Sequence, residues 1–286
     1  MSLVNIKEML IRADQENYAV PQFNVWNLEW ISAVLTTCQE LRTPVILGVS
    51  VNRAKYMGGY LVASQMIQAY MNAQAIRVPV ALHLDHAPTF EDCKEAIDAG
   101  FTSVMIDASR EELTQNIEIT RKVVDYAHSR NVSVEAELGR VGGKEEQIVA
   151  ESSYVIPEEC LELVQKTGID ALAPALGSVH GYYRGEPKLG FDRMEEIHRL
   201  ISLPLVLHGG SGLPEDQLKK AIRCGTAKIN VNTDCLDAWA KILRRAVKEA
   251  PDEIDPRKLI GPGKKGIAEV IRTKCAIFGS IGKGER

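Results

Sequence analysis

Short, continuously apolar runs alternate along the chain with longer stretches whose apolar residues recur every three or four positions. The first pattern reads as strands buried on both faces, the second as amphipathic helices. The expected strands are 19–25, 44–50, 78–86, 103–107, 132–138, 171–177, 205–208 and 229–231. The helices expected after them are 28–41, 61–73, 90–99, 113–128, 157–166, 193–200, 215–223 and 235–248, three of them stopped by Gly100, Gly168 and Gly225. A further helix, 6–15, precedes the first strand, and another, 267–278, closes the chain. Residues 139–154 read as a polar, glycine-bearing loop, and the tail after Gly279 as weakly structured. Strand–helix alternation without a composition break implies the α/β class and a single (β/α)8 TIM barrel over 1–286, with an extra helix at each end. A doubly wound open sheet is the runner-up, but the first strand–helix turn lacks G-x-G-x-x-G.

In such a barrel the active site lies at the C-terminal ends of the strands. Those ends carry Asn24, Ser50, Asp85 with His86, Asp107, Glu135, Glu137, His180, His208 and Asn230, a far more polar set than chance placement would give. His86, His180 and His208 follow the third, sixth and seventh strands. Three imidazoles with an open fourth position are the pattern of catalytic zinc, with Asp85 beside one ligand to move a proton. His83 lies deeper in its strand and reads as core or as support for a ligand, while His128 and His198 fall on helical patterns and read as surface.

The turns Gly209, Gly210, Ser211 and Asn230, Val231, Asn232, Thr233 follow the last two strands, where these barrels often hold phosphate. Glycine lets backbone N–H groups approach phosphate oxygens, and Arg184 adds positive charge nearby. Lys228 begins the last expected strand, which places it at the opposite face and away from a Schiff-base role.

Composition narrows the partners. At 286 residues, 45% hydrophobic and 25% charged, the chain is an ordinary globule, and a net charge of −4 gives no reason to expect nucleic acid or an anionic membrane. Six cysteines without CxxC spacing and an N-terminus unlike a signal peptide suggest a reduced, cytoplasmic setting.

The motifs HLDH at 83–86, SVEAELG at 133–139, GSVHG at 177–181, HGGSG at 208–212 and KINVNT at 228–233 resemble those of the class II, metal-dependent ketose-bisphosphate aldolases. The similarity runs from YAVPQFN at 18–24 to DPRKLIGP at 255–262, and is nearest the compact bacterial branch. It implies zinc held by His86, His180 and His208, and Asp85 exchanging a proton with the C4 hydroxyl. It implies Gly181, Gly209 to Ser211 and Asn230 to Thr233 around a dihydroxyacetone phosphate portion. It also implies Na+ or K+ near the main-chain oxygens of Val179, Gly181 and Gly209, and a second divalent metal at Asp107 and Glu137. Glu145 matches the residue that handles the proton on C3. Arg257 matches one that reaches into a neighbouring subunit to bind the far phosphate, which makes the protein a homodimer or homotetramer.

The chain departs from that pattern with Glu145-Glu146 where Glu-Asp is common and with Arg184 where lysine is common, and residues 50–56 and 235–239 are more similar to the inositol-catabolism branch. The expected reaction is cleavage of a ketose 1,6-bisphosphate, fructose 1,6-bisphosphate first, with tagatose 1,6-bisphosphate or 6-phospho-5-dehydro-2-deoxygluconate as alternatives. From the residues alone, a zinc hydrolase and a non-catalytic sugar-phosphate-binding barrel stay open.

Overall fold

The computed structural model describes residues 3–145, 148–150, 154–183 and 185–285, with backbone alone for 143–145 and 148–150. The elements run α1 (Lys7–Gln15), β1 (Val20–Asn24), α2 (Leu28–Leu41), β2 (Val45–Ser50), α3 (Val51–Met57), α4 (Tyr60–Ala73), β3 (Val80–Ala87), α5 (Phe90–Asp98), β4 (Ser103–Ile106), α6 (Leu113–His128) and β5 (Ser133–Leu138). They continue β6 (Gly142–Glu145), β7 (Ile148–Ala150), α7 (Pro157–Thr167), β8 (Ala171–Pro174), β9 (Val179–His180), α8 (Phe191–Ile201), β10 (Leu205–Leu207), α9 (Glu215–Arg223), β11 (Thr226–Val231), α10 (Thr233–Glu249), α11 (Pro256–Leu259) and α12 (Gly263–Phe278). Eight strands close into a barrel in the order β1-β11-β10-β8-β5-β4-β3-β2, and the printed pairings are all parallel. The chain is a (β/α)8 TIM barrel.

Two apolar layers hold it. Outward-facing strand residues such as Phe23, Leu47, Leu82, Val134, Leu207 and Val231 pack under the ring of helices. Inside the barrel, Val20, Ile46, Ala81, Ala171, Ala173, Val206 and Ala227 meet Ile6, Met9, Leu10 and Ala13 of the N-terminal helix region. Small side chains at these positions leave room for α1 to plug the bottom of the barrel. Above this floor, inward positions of four strands turn polar: Gln22, His83, Glu135 and Lys228, all fully buried. One more step gives Asn24, Ser50, Asp85, Glu137 and Asn230 at the rim. The interior therefore grades from an apolar floor to a polar mouth.

Several expectations need correction. The sixth barrel strand stops at Pro174, because Gly177 turns with φ 89° where a Cβ would lie 2.2 Å from the Lys188 carbonyl oxygen. The last strand starts earlier, at Thr226, so Lys228 lies within the barrel and not at its opposite face. The loop 139–154 contains the strands β6 and β7, which pair with each other and, through β6, with β9. The helices α3 and α11 were not foreseen. The tail is tied down: Gly282 and Gly284 donate N–H bonds to the carbonyls of Leu41 and Arg42, and Arg42 pairs with Glu285.

His198, expected at the surface, joins α8 to the plug helix through Asp14, with Nε2 3.0 Å from a carboxylate oxygen. That hydrogen bond raises the imidazole above its ordinary value. A raised value means the contribution is complete below about pH 6.5 and is lost as pH rises through the folded-state value. Denaturant unfolding of the protein and of His198→Gln should differ by a few tenths to about 1 kcal/mol near pH 6, the worth of a half-exposed pair. The gap should narrow by pH 9; a gap that widens with pH would remove this pair from the ledger.

Candidate active site and metal centre

An irregularity in β3 shapes the rim. In a regular strand Asp85 and His86 would face opposite sides of the sheet. The pairing of β3 with β4 slips between Leu84 and Ala87, and His86 adopts a left-handed backbone with φ 51°. A bulge re-aims a side chain, and a left-handed residue bearing a Cβ is a strained conformation that gathers at functional sites. Both neighbours thus serve one site.

His86 meets His208, just beyond β10, and His180 of β9. Ring centroids lie 4.6 Å apart for His86–His208, 5.1 Å for His86–His180 and 5.7 Å for His180–His208, with the rings near perpendicular. His86 Nδ1 is 3.0 Å from Asp107 Oδ2, and His208 Nε2 is 2.8 Å from Glu135 Oε1. Each carboxylate accepts a ring N–H, which fixes the tautomer and leaves the other nitrogen with a lone pair. Those remaining nitrogens, His86 Nε2 and His208 Nδ1, face each other at 2.9 Å. Two lone pairs at that distance repel unless a proton or a cation stands between them. His180 brings a third ligand atom within 4.8 Å of the other two. The donor set fits a divalent metal.

Carboxylates surround this centre in two groups. Glu135 joins His208 to Lys228, whose Nζ is 2.8 Å from Oε2. Burial opposes ionisation of Glu135, but Lys228 and the His208 N–H hold its carboxyl below the usual range. His83, hydrogen-bonded to Ser103 at 2.7 Å, is pushed down to about 3 by burial and by Lys228, and stays a neutral core group. On the other side of the His86 ring, Asp107 and Glu137 offer a second set of ligand atoms within 4.8 Å. Burial and the charge of Asp107 push Glu137 well above its ordinary value.

Asp85 faces a pocket of about 210 Å³ bounded by Asn24, Trp26, Arg53, His180, Ser211 and Thr233 among others. Asn24 Nδ2 donates to Asp85 Oδ2 at 2.7 Å, and Asn230 Nδ2 reaches Oδ1 at 3.4 Å. Burial opposes its ionisation, and the imidazoles of His86 and His208 with the Lys228 ammonium outweigh that, holding it well below the usual range. Across the pocket, Gly209 turns with φ 71°, and a Cβ there would lie 2.2 Å from the Val179 carbonyl oxygen. Ser211 Oγ accepts N–H bonds from Asn232 and Asp234 at 3.2 Å each, tying this turn to the N-terminus of the 17-residue α10. Helix N-terminal amides and a glycine turn favour an anion.

The structure thus gathers Asn24, Asp85, His180, Gly181, Gly209, Ser211, Asn230, Asn232 and Thr233 on one pocket. His86 and His208 do not line it and adjoin it through their contacts with His180. Ser50 caps α3 by accepting the Arg53 N–H at 3.4 Å. Gly210 is packed too tightly for a side chain, its Cβ position lying 2.4 Å from Ile229. The Val231 side chain turns into the layer under the helices, where it is fully buried, and the residue does not line the pocket. Arg257 is absent from the pocket lining and sits on α11 with its side chain 88% exposed, held to Asp255 at 2.7 Å. The Glu145 side chain, and Glu146 and Arg184 entirely, lie outside the described residues. Sequence reasoning missed Arg53 and Trp26 on the pocket wall and Lys274 beneath the glycine turn, 2.7 Å from Asp234. An arginine three residues past a strand end was the available signal; nothing in the α12 pattern marks Lys274.

Comparison with known proteins gives a consistent picture. The family described as "Fructose-bisphosphate aldolase class-II" matches residues 4–283. The chain is 56% identical over 284 residues to a fructose-bisphosphate aldolase of Geobacillus stearothermophilus, covering 99% of each chain. It is 55% identical over the full length of both chains to one of Staphylococcus epidermidis. Among solved structures it is similar to the YdjI aldolase of Escherichia coli K12, with TM-score 0.85 and 35% identity over 99% of this chain and 100% of that one. No helix among the described residues is long and apolar enough to cross a membrane.

The Glu135 bridge generates a test that does not need turnover. Glu135→Gln should weaken zinc binding about 10- to 100-fold in a competition with a chelator, the usual worth of a partner that orients a ligand. It should also destabilise the fold by about 3–5 kcal/mol by leaving Lys228 buried and unpaired. Adding Lys228→Met should restore stability but not affinity; affinity that returns with stability would make the bridge purely structural.

Proposed function

Since this chain belongs to the class II fructose-bisphosphate aldolase family, we propose that its pocket reversibly cleaves fructose 1,6-bisphosphate to dihydroxyacetone phosphate and glyceraldehyde 3-phosphate. Membership makes the chain a carbon–carbon lyase, and the hydrolase and non-catalytic readings fall away. One observation carries the assignment of roles: a buried carboxylate, a glycine turn and one member of a three-imidazole cluster line the same pocket.

Zinc held by His86, His180 and His208 supplies, when bound, Lewis-acid stabilisation of charge on the ketone half of the substrate. Asp85 takes the proton of the C4 hydroxyl as the C3–C4 bond breaks, and Asn24 and Asn230 hold it in place for that transfer. Glu145 returns a proton to C3. The backbone of Gly181, Gly209 to Ser211 and Asn232 to Thr233 holds the phosphate of the ketone half, with the amides of α10 pointing at it. The carbonyls of Val179, Gly181 and Gly209 would hold Na+ or K+, and Asp107 and Glu137, beside His86, would hold a second divalent metal.

The second phosphate needs a cation beyond these groups. Arg257 suits it, because a guanidinium fork donates two hydrogen bonds to phosphate and this one stands exposed on α11. In a homo-oligomer it reaches the neighbouring subunit's pocket, so each site is completed in trans. The sugar-phosphate chemistry accords with a cytoplasmic enzyme.

Three measurements test this reading. Chelation should abolish cleavage and zinc should restore it, while borohydride with substrate should leave the protein unlabelled; a trapped lysine adduct would sink the metal-dependent reaction. Asp85→Ala should keep zinc yet cleave about 10²- to 10⁴-fold more slowly, the range for a positioned base. Glu145→Ala and Arg257→Ala, each inactive alone, should regain about a quarter of wild-type activity when their subunits exchange, because about half of randomly paired dimers are mixed and each mixed dimer has one intact site. No recovery despite proven exchange would confine Arg257 to its own chain.

A further inference from the structure

The glycine turn after β10 rests on a buried lysine that does not line the pocket. Lys274 belongs to α12, and its side chain is only 9% exposed. Its Nζ lies 2.7 Å from Asp234 Oδ2 and donates to the Gly210 carbonyl oxygen at 3.4 Å. The N–H of Gly210 donates to the Asn230 carbonyl at 3.0 Å, so the residue is held from both sides. Asp234 stands in the first turn of α10, and the same Oδ2 accepts the Gly212 N–H at 3.4 Å. The helix that carries the lysine is pressed against α10: a Cβ on Gly266 would lie 2.8 Å from the Ala238 carbonyl oxygen. The neighbouring Cys235 thiol, pushed up by burial and by the Asp234 charge, stays neutral and adds no charge of its own.

A carboxylate at this place is at odds with the task of the turn. Amides at the start of a helix favour a negative charge, and Asp234 competes for them with any phosphate bound there. Like charges at close range repel, and Lys274 is the cation paired with this carboxylate. We infer that Lys274 is a positioning residue for the phosphate of the ketone half: it neutralises Asp234 and, through Gly210, holds the turn that receives the phosphate. This rests on the aldolase reading, in which that turn and the start of α10 hold the phosphate. Lys274 acts through Asp234 and Gly210 and needs no contact with the substrate. An ammonium suits the task, because it is a compact charge whose several N–H groups serve a carboxylate and a carbonyl together.

The test reads binding, so that it does not depend on turnover. Zinc-loaded protein is titrated calorimetrically with dihydroxyacetone phosphate and, separately, with inorganic phosphate, at one fixed ionic strength. Lys274→Met should weaken both ligands roughly 10- to 100-fold, the scale of one uncompensated charge close to a bound anion. Lys274→Arg, which keeps the charge, should retain most of the affinity. Asp234→Asn keeps an oxygen for the Gly212 N–H and should tighten both ligands, because the lysine charge is then left to the phosphate. The double variant, Lys274→Met with Asp234→Asn, should return close to wild-type binding. Opposite signs in the two single variants are what a merely structural brace would not produce, since breaking a brace from either side loosens the turn. If Lys274→Met fails to fold, the sign of Asp234→Asn and the affinity of the double variant supply the answer. Weaker binding in Asp234→Asn, or a double variant that binds poorly, would overturn the inference and leave the pair as a brace alone. A wild-type protein that holds zinc and binds neither ligand would instead overturn the phosphate placement of the aldolase reading, and this inference with it.

Discussion

Two imidazole nitrogens held 2.9 Å apart, on His86 and His208, are the constraint around which the interior is arranged. Without help such a pair is unfavourable, since each nitrogen presents a lone pair to the other. The chain pins both rings from behind, His86 through Asp107 and His208 through Glu135. Glu135 is itself fully buried and is compensated by Lys228. A line of alternating charge therefore runs from mid-barrel to the rim. It explains why this barrel tolerates an ammonium and a carboxylate where such interiors are commonly filled by branched apolar residues. Removing either end would leave the other as an uncompensated buried charge.

The polar mouth is possible only because the floor is sealed. The plug helix α1 fills the space left by Ala81, Ala171, Ala173 and Ala227, and keeps water from the charged middle layer. With the floor closed, the site opens at one end alone. The bulge at His86 then aims the adjacent side chains of Asp85 and His86 at one site, which a regular strand forbids.

The rim divides its labour around the barrel. The ends of β10 and β11 and the start of α10 form a backbone cradle whose tightness is enforced by Gly209 and Gly210, with Lys274 and Asp234 bracing it from below. The ends of β1, β2 and β3 carry side chains instead: Asn24, Arg53 and Asp85, backed by the Trp26–Trp30–Trp239 stack.

Much of this was legible in the sequence. Periods of two kinds gave the strand–helix alternation, and polar residues at the ends of apolar runs gave Asp85, His86, His208 and Asn230, because a strand that must be apolar for most of its length betrays any exception at its end. The tight turn after β10 was legible because glycine at that point of a barrel has few other uses. What local pattern could not carry was decided by tertiary structure. Lys228 and Glu135 each look like an isolated charge until the closed barrel puts β11 and β5 face to face across its interior. His180 sits on a short strand whose partner lies in a stretch that reads as loop. That the Val231 side chain faces the helices depends on register, which only the neighbouring strands fix. Arg53 meets Trp26, just past β1, and Asp85 of β3 only in the closed barrel. Sequence determines which groups are present and the period on which they repeat; closure of the barrel determines which of them meet.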